Sequence, residues 1–134
     1  VVSRTMELYS EVTIHLDIEN NIHAELDATL LVRVINNLVN NAIYACDDIK
    51  DPKITVRFIK QNNSLLLSIE DNGKGISEEV QQHIFEPTFT TKTSGMGLGL
   101  SMVKSIIEGY GGNIQVTSEL NTFTRFEVWF PNLI

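Results

Sequence analysis

Three groups of residues in this 134-residue chain have types and spacings that could do chemistry: a pair of asparagines and two runs of alternating glycines. Asn37 and Asn41 stand one helical turn apart, with Arg33 one turn before them. Asparagine is a poor helix former because its amide competes for local backbone bonds. Two on one face of an apolar helix are therefore either solvated or aimed into a site. Asp71-Asn72-Gly73-Lys74-Gly75 places a carboxylate at the end of an apolar alternating run, beside two glycines that let the backbone turn tightly and approach a ligand. A carboxylate accepts a bond from an exocyclic amine such as that of adenine, although D-x-G-x-G also occurs in ordinary turns. Gly95-Met96-Gly97-Leu98-Gly99-Leu100 lets successive N–H groups converge on an anion at the start of a helix. It follows a loop and not the first strand of a βαβ unit, so it is no dinucleotide fingerprint, and it lacks the Gly-Lys-Ser/Thr of a P-loop. Lys92, in that loop, either reaches a terminal phosphate or is solvated. An amide oxygen is a hard ligand suited to Mg²⁺, which makes Asn41 the natural metal-side residue, with Asn37 near the ion or one of its waters. The three pieces fit one pocket: a base-reading aspartate, a metal-binding helix and a glycine loop over phosphates.

The elements that must position these residues follow from periodicity. Leu31, Val34, Leu38, Ala42 and Ala45 recur at spacings of three and four, and Ile35 and Val39 widen the stripe. This predicts an amphipathic helix with Asp27 at its N-terminus, ending near Asp47–Asp48 before the Asp51-Pro52 breaker. Val12, Ile14, Leu16 and Ile18 alternate with polar residues as in a half-buried strand, whose polar face includes His15. Residues 53–59 and 65–71 form a hairpin about Asn62-Asn63. Ser77 caps a short helix through Ile84-Phe85, residues 87–99 read as a mobile loop, and helical spacing returns from Leu100 to Tyr110 until Gly111-Gly112 ends it. Residues 114–118 and 126–130 are the last strands, with a turn near Asn121. The expectation is an α/β two-layer sandwich: a mixed five-stranded sheet, about three helices on one face, and a short mobile lid.

Composition narrows the function. The length suits one domain, with residues 1–10 read as a linker or the end of an upstream helix and 11–134 as the folded unit. There is no initiator Met, which suggests a piece cut from something longer. The net charge of −7 and the absence of a Lys/Arg cluster argue against nucleic-acid binding. Cys46 is the single cysteine, so a reducing compartment is the default. No apolar run approaches the ~20 residues needed to cross a bilayer.

With the boxes in this order, the chain resembles the catalytic and ATP-binding domain of bacterial sensor histidine kinases, in the superfamily shared with gyrase-type ATPases, Hsp90 and MutL. Asn37-Leu38-Val39-Asn40-Asn41-Ala42 is similar to the N box, residues 71–75 to the first glycine box, Phe85-Glu86-Pro87 with Phe89-Thr90-Thr91-Lys92 to the F box and lid start, and residues 95–100 to the second glycine box. The pattern looks most like the nitrogen-regulator and oxygen-sensor kinases. The resemblance implies a Bergerat-type fold and an ATP·Mg²⁺ site. Asp71 would hold the adenine amine and Asn41 the metal, with Asn37 assisting. Gly73, Gly75, Gly95, Gly97 and Gly99 would shape the hinges and the phosphate cradle. Ile76, Thr91, Lys92, Leu98 and Leu100 would complete the nucleotide site, and Phe85 and Phe89 would anchor the lid or simply pack.

The resemblance also separates kinase from hydrolase. ATPases of the superfamily carry a glutamate where this chain has Asn37, which cannot serve as a base. It implies phosphoryl transfer to a histidine on a separate dimeric helical domain, followed by a response regulator aspartate. None of His15, His23 or His83 has the context of that acceptor. The isolated domain would be monomeric and cytoplasmic, with the full-length protein membrane-attached or not. Family members often carry Lys or Arg three residues after the metal-binding asparagine and an aromatic residue next; here these are Tyr44 and Ala45. Tyr44 then stacks on the base or packs, and Arg33 or Lys92 supplies the charge. The glycines usual before the last strand are absent at Asn121-Thr122-Phe123-Thr124, leaving that turn unspecified. Two alternatives share the boxes: an anti-sigma-type serine kinase and an ATP-gated machine, the latter disfavoured by Asn37 and the short lid. A third is a degenerate module that only docks partners.

Overall fold

Apolar alternation and helical stripes build one mixed sheet with helices on a single face. The computed structural model describes residues 5–9, 12–18, 27–87 and 96–131. In chain order these form β1 (Thr5–Tyr9), β2 (Val12–Ile18), α1 (Ala28–Ala45), β3 (Lys53–Gln61), β4 (Ser64–Asp71), α2 (Glu78–Gln81), α3 (Met96–Gly109), β5 (Asn113–Glu119) and β6 (Phe123–Phe130). The sheet order is β1-β2-β3-β4-β6-β5. Only the β2–β3 pair, joined through α1, is parallel; the others are antiparallel. This is the expected two-layer α/β sandwich.

Asp27 starts α1 as expected, its carboxylate accepting from the N–H groups of Thr29 (2.8 Å) and Leu30 (3.2 Å). Val34, Leu38, Ala42 and Ala45 form the buried stripe. Val34, Leu38 and Ala42 pack in one cluster with Ile54 and Val56 of β3, Leu65, Leu67 and Ile69 of β4, and Phe126, Val128 and Phe130 of β6, with Leu100, Val103 and Ile107 of α3 completing the core. Each fully buried aliphatic side chain contributes about 1.5–3 kcal/mol. The Tyr110 hydroxyl accepts from Asp27 N–H at 3.0 Å, tying the end of α3 to the start of α1. Among the described residues, no helix is long and apolar enough to cross a membrane.

Three boundaries differ from the sequence expectation, and the turn it left unspecified takes a definite form. Thr5–Tyr9 is a sixth strand and not a linker; its register, Thr5 against His15 and Met6 against Ile14, comes from pairing with β2 and not from a pattern of its own. The α2 helix ends at Gln81, and a turn carries the chain to Ile84 and Phe85. The α3 helix begins at Met96, so Gly97 and Gly99 lie in the helix and not in a loop before it. Glycine propensity opposes this by about 1 kcal/mol per residue, and packing of α3 against α1 overrides it. The β5–β6 turn is tight: Thr122 N–H donates to Glu119 O at 3.1 Å, and Asn121 has φ 60°. Asparagine tolerates the left-handed region better than other side chains, so Asn121 performs the turn for which the sequence lacks a glycine.

Candidate nucleotide site

The inward row of β4 reads Leu65, Leu67, Ile69, Asp71, and that of β6 reads Phe130, Val128, Phe126, Thr124. Each row is apolar until its last member, and register places those two polar residues opposite each other. Asp71 is 3% exposed and Thr124 2%, the two buried polar residues among the described residues. Burial pushes the Asp71 carboxyl up to about 6; the Gly73 N–H works against that shift and the nearby Glu70 charge adds to it. Its Oδ1 accepts from Gly73 N–H at 2.8 Å. Among the described residues that is its one hydrogen bond, which leaves Oδ2 to accept from a ligand amine. Burial, with the Asp71 charge added, also pushes the neighbouring Cys46 thiol up to about 11, so it stays protonated.

The loop after Asp71 is clamped between α1 and the β5–β6 turn. Lys74 N–H donates to Ala45 O (2.9 Å), and Lys74 O accepts from Asn121 N–H (2.7 Å). A Cβ on Gly73 would overlap the Ala45 carbonyl, and one on Gly75, at φ +76°, would overlap the Glu119 carbonyl. Asn72 holds the outer side, accepting from Lys53 N–H (2.8 Å) and donating to Asp51 O (3.1 Å). Ser118 Oγ accepts from Ile76 N–H (2.8 Å) and bonds Thr124 Oγ1 (2.8 Å), while Gln81 Nε2 donates to Ile76 O (2.7 Å). Sequence reasoning missed Thr124 and Ser118; the signal for Thr124 is a lone hydroxyl ending an apolar inward row.

The Asp71 loop thus meets the last turn of α1, one turn beyond Asn41. Asn41 Nδ2 is buried without a hydrogen-bond partner. An unpaired buried amide costs about 1–3 kcal/mol, and a polar ligand would remove that cost. Asn37 Nδ2 donates to Arg33 O at 3.0 Å, and its Oδ1 lies against Gly99, where a Cβ would overlap it. The N box and the second glycine box are therefore in contact. Tyr44, one turn past Asn41, carries Lys74 Nζ 4.3 Å from its ring centroid.

Several expected site residues serve packing. Leu100 is fully buried and Ile76 nearly so, both within the core cluster, so their side chains hold α3 and the loop against the sheet. Phe85 packs edge-on against Phe126 (6.2 Å between centroids), with Lys104 Nζ 5.6 Å from the Phe85 centroid. Gly97 and Leu98 lie in the first turns of α3. Phe89, Thr91, Lys92 and Gly95 lie outside the described residues. His83 pairs with Glu86 at 2.9 Å on the surface.

The buried acceptor Asp71, the unpartnered amide of Asn41 and a loop that excludes side chains fit a nucleotide. The described residues contain no group of three or more His, Cys, Asp or Glu able to hold a metal. A divalent ion here would take the amide oxygens of Asn41 and Asn37 together with oxygens of the ligand itself.

Known proteins resemble this chain in sequence and in fold. A probable C4-dicarboxylate sensor kinase of Halalkalibacterium halodurans is 41% identical over 97% of this chain and 25% of its own length. The sensor histidine kinase ZraS of Escherichia coli O157:H7 is 39% identical over 80% of this chain and 23% of its own. The chain thus spans about a quarter of the length of these curated relatives. The nucleotide-free catalytic domain of histidine kinase ThkA superposes with a TM-score of 0.80 at 34% identity, over 91% of this chain and 80% of that one. Residues 26–134 match the family described as histidine kinase-, DNA gyrase B- and HSP90-like ATPases. On that match the chain belongs to the histidine kinase-, DNA gyrase B- and HSP90-like ATPase family.

Proposed function

We propose that this chain is the ATP-binding catalytic domain of a sensor histidine kinase. It binds ATP·Mg²⁺ and donates the γ-phosphoryl group to a histidine on a separate dimeric helical domain, for relay to a response regulator aspartate. The observation that carries this reading is the buried Asp71 carboxylate facing Thr124, clamped against the end of the helix that bears Asn41. Asp71 accepts from the adenine amine, with the Thr124 hydroxyl beside it. Asn41 and Asn37 would offer their amide oxygens to the metal, and the clamped loop fixes the base so that the triphosphate leaves in one direction. The bound metal supplies charge neutralisation at the transferring phosphoryl group.

Asn37 has no basic group to activate water, which favours transfer to an external nucleophile brought in line over hydrolysis. The domain is read as the cytoplasmic part of a longer bacterial protein, acting with its phosphoacceptor domain and a receiver domain. Calorimetric titration with Mg·ATP should give micromolar-to-millimolar affinity that depends on Mg²⁺. Radiolabel from γ-labelled ATP should appear on an added dimeric histidine domain. Absence of nucleotide binding by the native chain, or label on a serine of the acceptor, overturns the assignment.

A further inference from the structure

The rim between α1 and the Asp71 loop carries a cation that the expected site did not include. Lys74 stands between Gly73 and Gly75, and its backbone is held on both sides, by Ala45 O and by Asn121 N–H. Its side chain is exposed. Among the described residues the ammonium has no carboxylate partner and rests 4.3 Å from the Tyr44 ring centroid. Tyr44 lies three residues after Asn41 on α1, so the ring and the unpartnered amide occupy adjacent positions on one side of the helix. One element thus supplies the ring and the other the cation, at the seam where the Asp71 loop is held against α1.

We propose that Lys74 is a nucleotide-contacting residue that reads the phosphate chain, with Tyr44 as its platform. The inference rests on the ATP reading above. With the backbone anchored, the freedom left to Lys74 is its side-chain torsions, which swing the ammonium between the ring face and an anionic oxygen of a bound nucleotide. An exposed cation–π contact is weak, and a polyanion at the same rim outcompetes it. The cation belongs to the loop and not to the helix. Its position is therefore set by the same clamp that orients Asp71, which couples base recognition to phosphate recognition.

The test compares Mg·ATP and adenosine binding to the native chain, Lys74→Gln, Lys74→Arg and Tyr44→Leu by chemical-shift titration. Lys74→Gln should weaken Mg·ATP by about two- to fivefold at low salt, the range of an exposed ion pair, and leave adenosine unchanged. Lys74→Arg should restore the loss, and raising the salt concentration should erase the difference. The Lys74 ε-methylene protons should resonate upfield under the Tyr44 ring current, lose that shift in Tyr44→Leu, and move downfield with Mg·ATP but not with adenosine. Equal affinity of Lys74→Gln for Mg·ATP, or equal weakening for both ligands, overturns the proposal. If the native chain binds neither ligand, it is the nucleotide reading itself that falls.

Discussion

The two glycine runs have similar composition but meet different neighbours. Gly73 and Gly75 abut backbone carbonyls, of Ala45 and Glu119, and Gly75 also sits at φ +76°. Neither neighbour can move without shifting α1 or the β5–β6 hairpin. Gly99 abuts the end of a side chain, Asn37 Oδ1, inside a helix where any residue has an allowed backbone. The first run is a fixed cradle, and Gly99 of the second is a packing contact that can yield. Glycine therefore serves two different purposes here: a backbone conformation and close main-chain approach in one place, room for a functional amide in the other.

Substitutions can break this comparison, and the largest effect should come at Gly75. Gly75→Ala combines a left-handed backbone with main-chain overlap and should cost about 2–4 kcal/mol, read as a fall in urea midpoint together with loss of nucleotide binding. A stability change under 1 kcal/mol would mean that the loop is not clamped as described.

Next in size is the pH response of Asp71. The folded carboxyl holds its proton up to about pH 6, while the reference value is 3.8. The native state therefore binds more protons between these values. Stability present at low pH is lost as pH rises through that window, by about 3 kcal/mol from this group. Nucleotide affinity should run the other way, falling below pH 6 as the acceptor is neutralised. Subtracting the urea-melt pH profile of Asp71→Asn from that of the native chain isolates this contribution, and coincident profiles would falsify it.

Asp71→Asn should also weaken Mg·ATP by about 1–3 kcal/mol at neutral pH without lowering the urea midpoint, because the amide oxygen still accepts from Gly73 N–H. The smallest effect belongs to Gly99→Ala. A gain in helix propensity of about 1 kcal/mol opposes displacement of the Asn37 amide, so the midpoint should move little while Mg²⁺-dependent affinity falls. If Gly99→Ala destabilised the fold as much as Gly75→Ala, the distinction between cradle and packing contact would be lost.

Much of this was legible locally. The stripe Val34, Leu38, Ala42, Ala45 specified α1 to within a residue at its start and two or three at its end, because burial on a helix has a period that no other element shares. Alternation specified β3, β4 and the face on which Asp71 lies. The N-caps at Asp27 and Ser77 were readable from residue type, since a short side-chain acceptor at that position satisfies free N–H groups. The order of the boxes pointed to a nucleotide site before any two of them were known to touch.

What remained illegible depended on contacts between distant segments. The strand at Thr5–Tyr9 exists because β2 offers it an edge, and an edge leaves no mark on the strand that fills it. The α3 helix reaches back over Gly97 and Gly99 because α1 receives it there. Thr124 became a partner of Asp71 through strand register, and Lys74 became a rim cation through two backbone bonds to segments 29 and 47 residues away. Sequence by itself determined which faces would be buried and which residue types could bind a nucleotide, because hydrophobic periodicity and side-chain chemistry are local properties. Only the tertiary structure decided which of those residues meet, because register and packing depend on neighbours that the chain brings close only by folding.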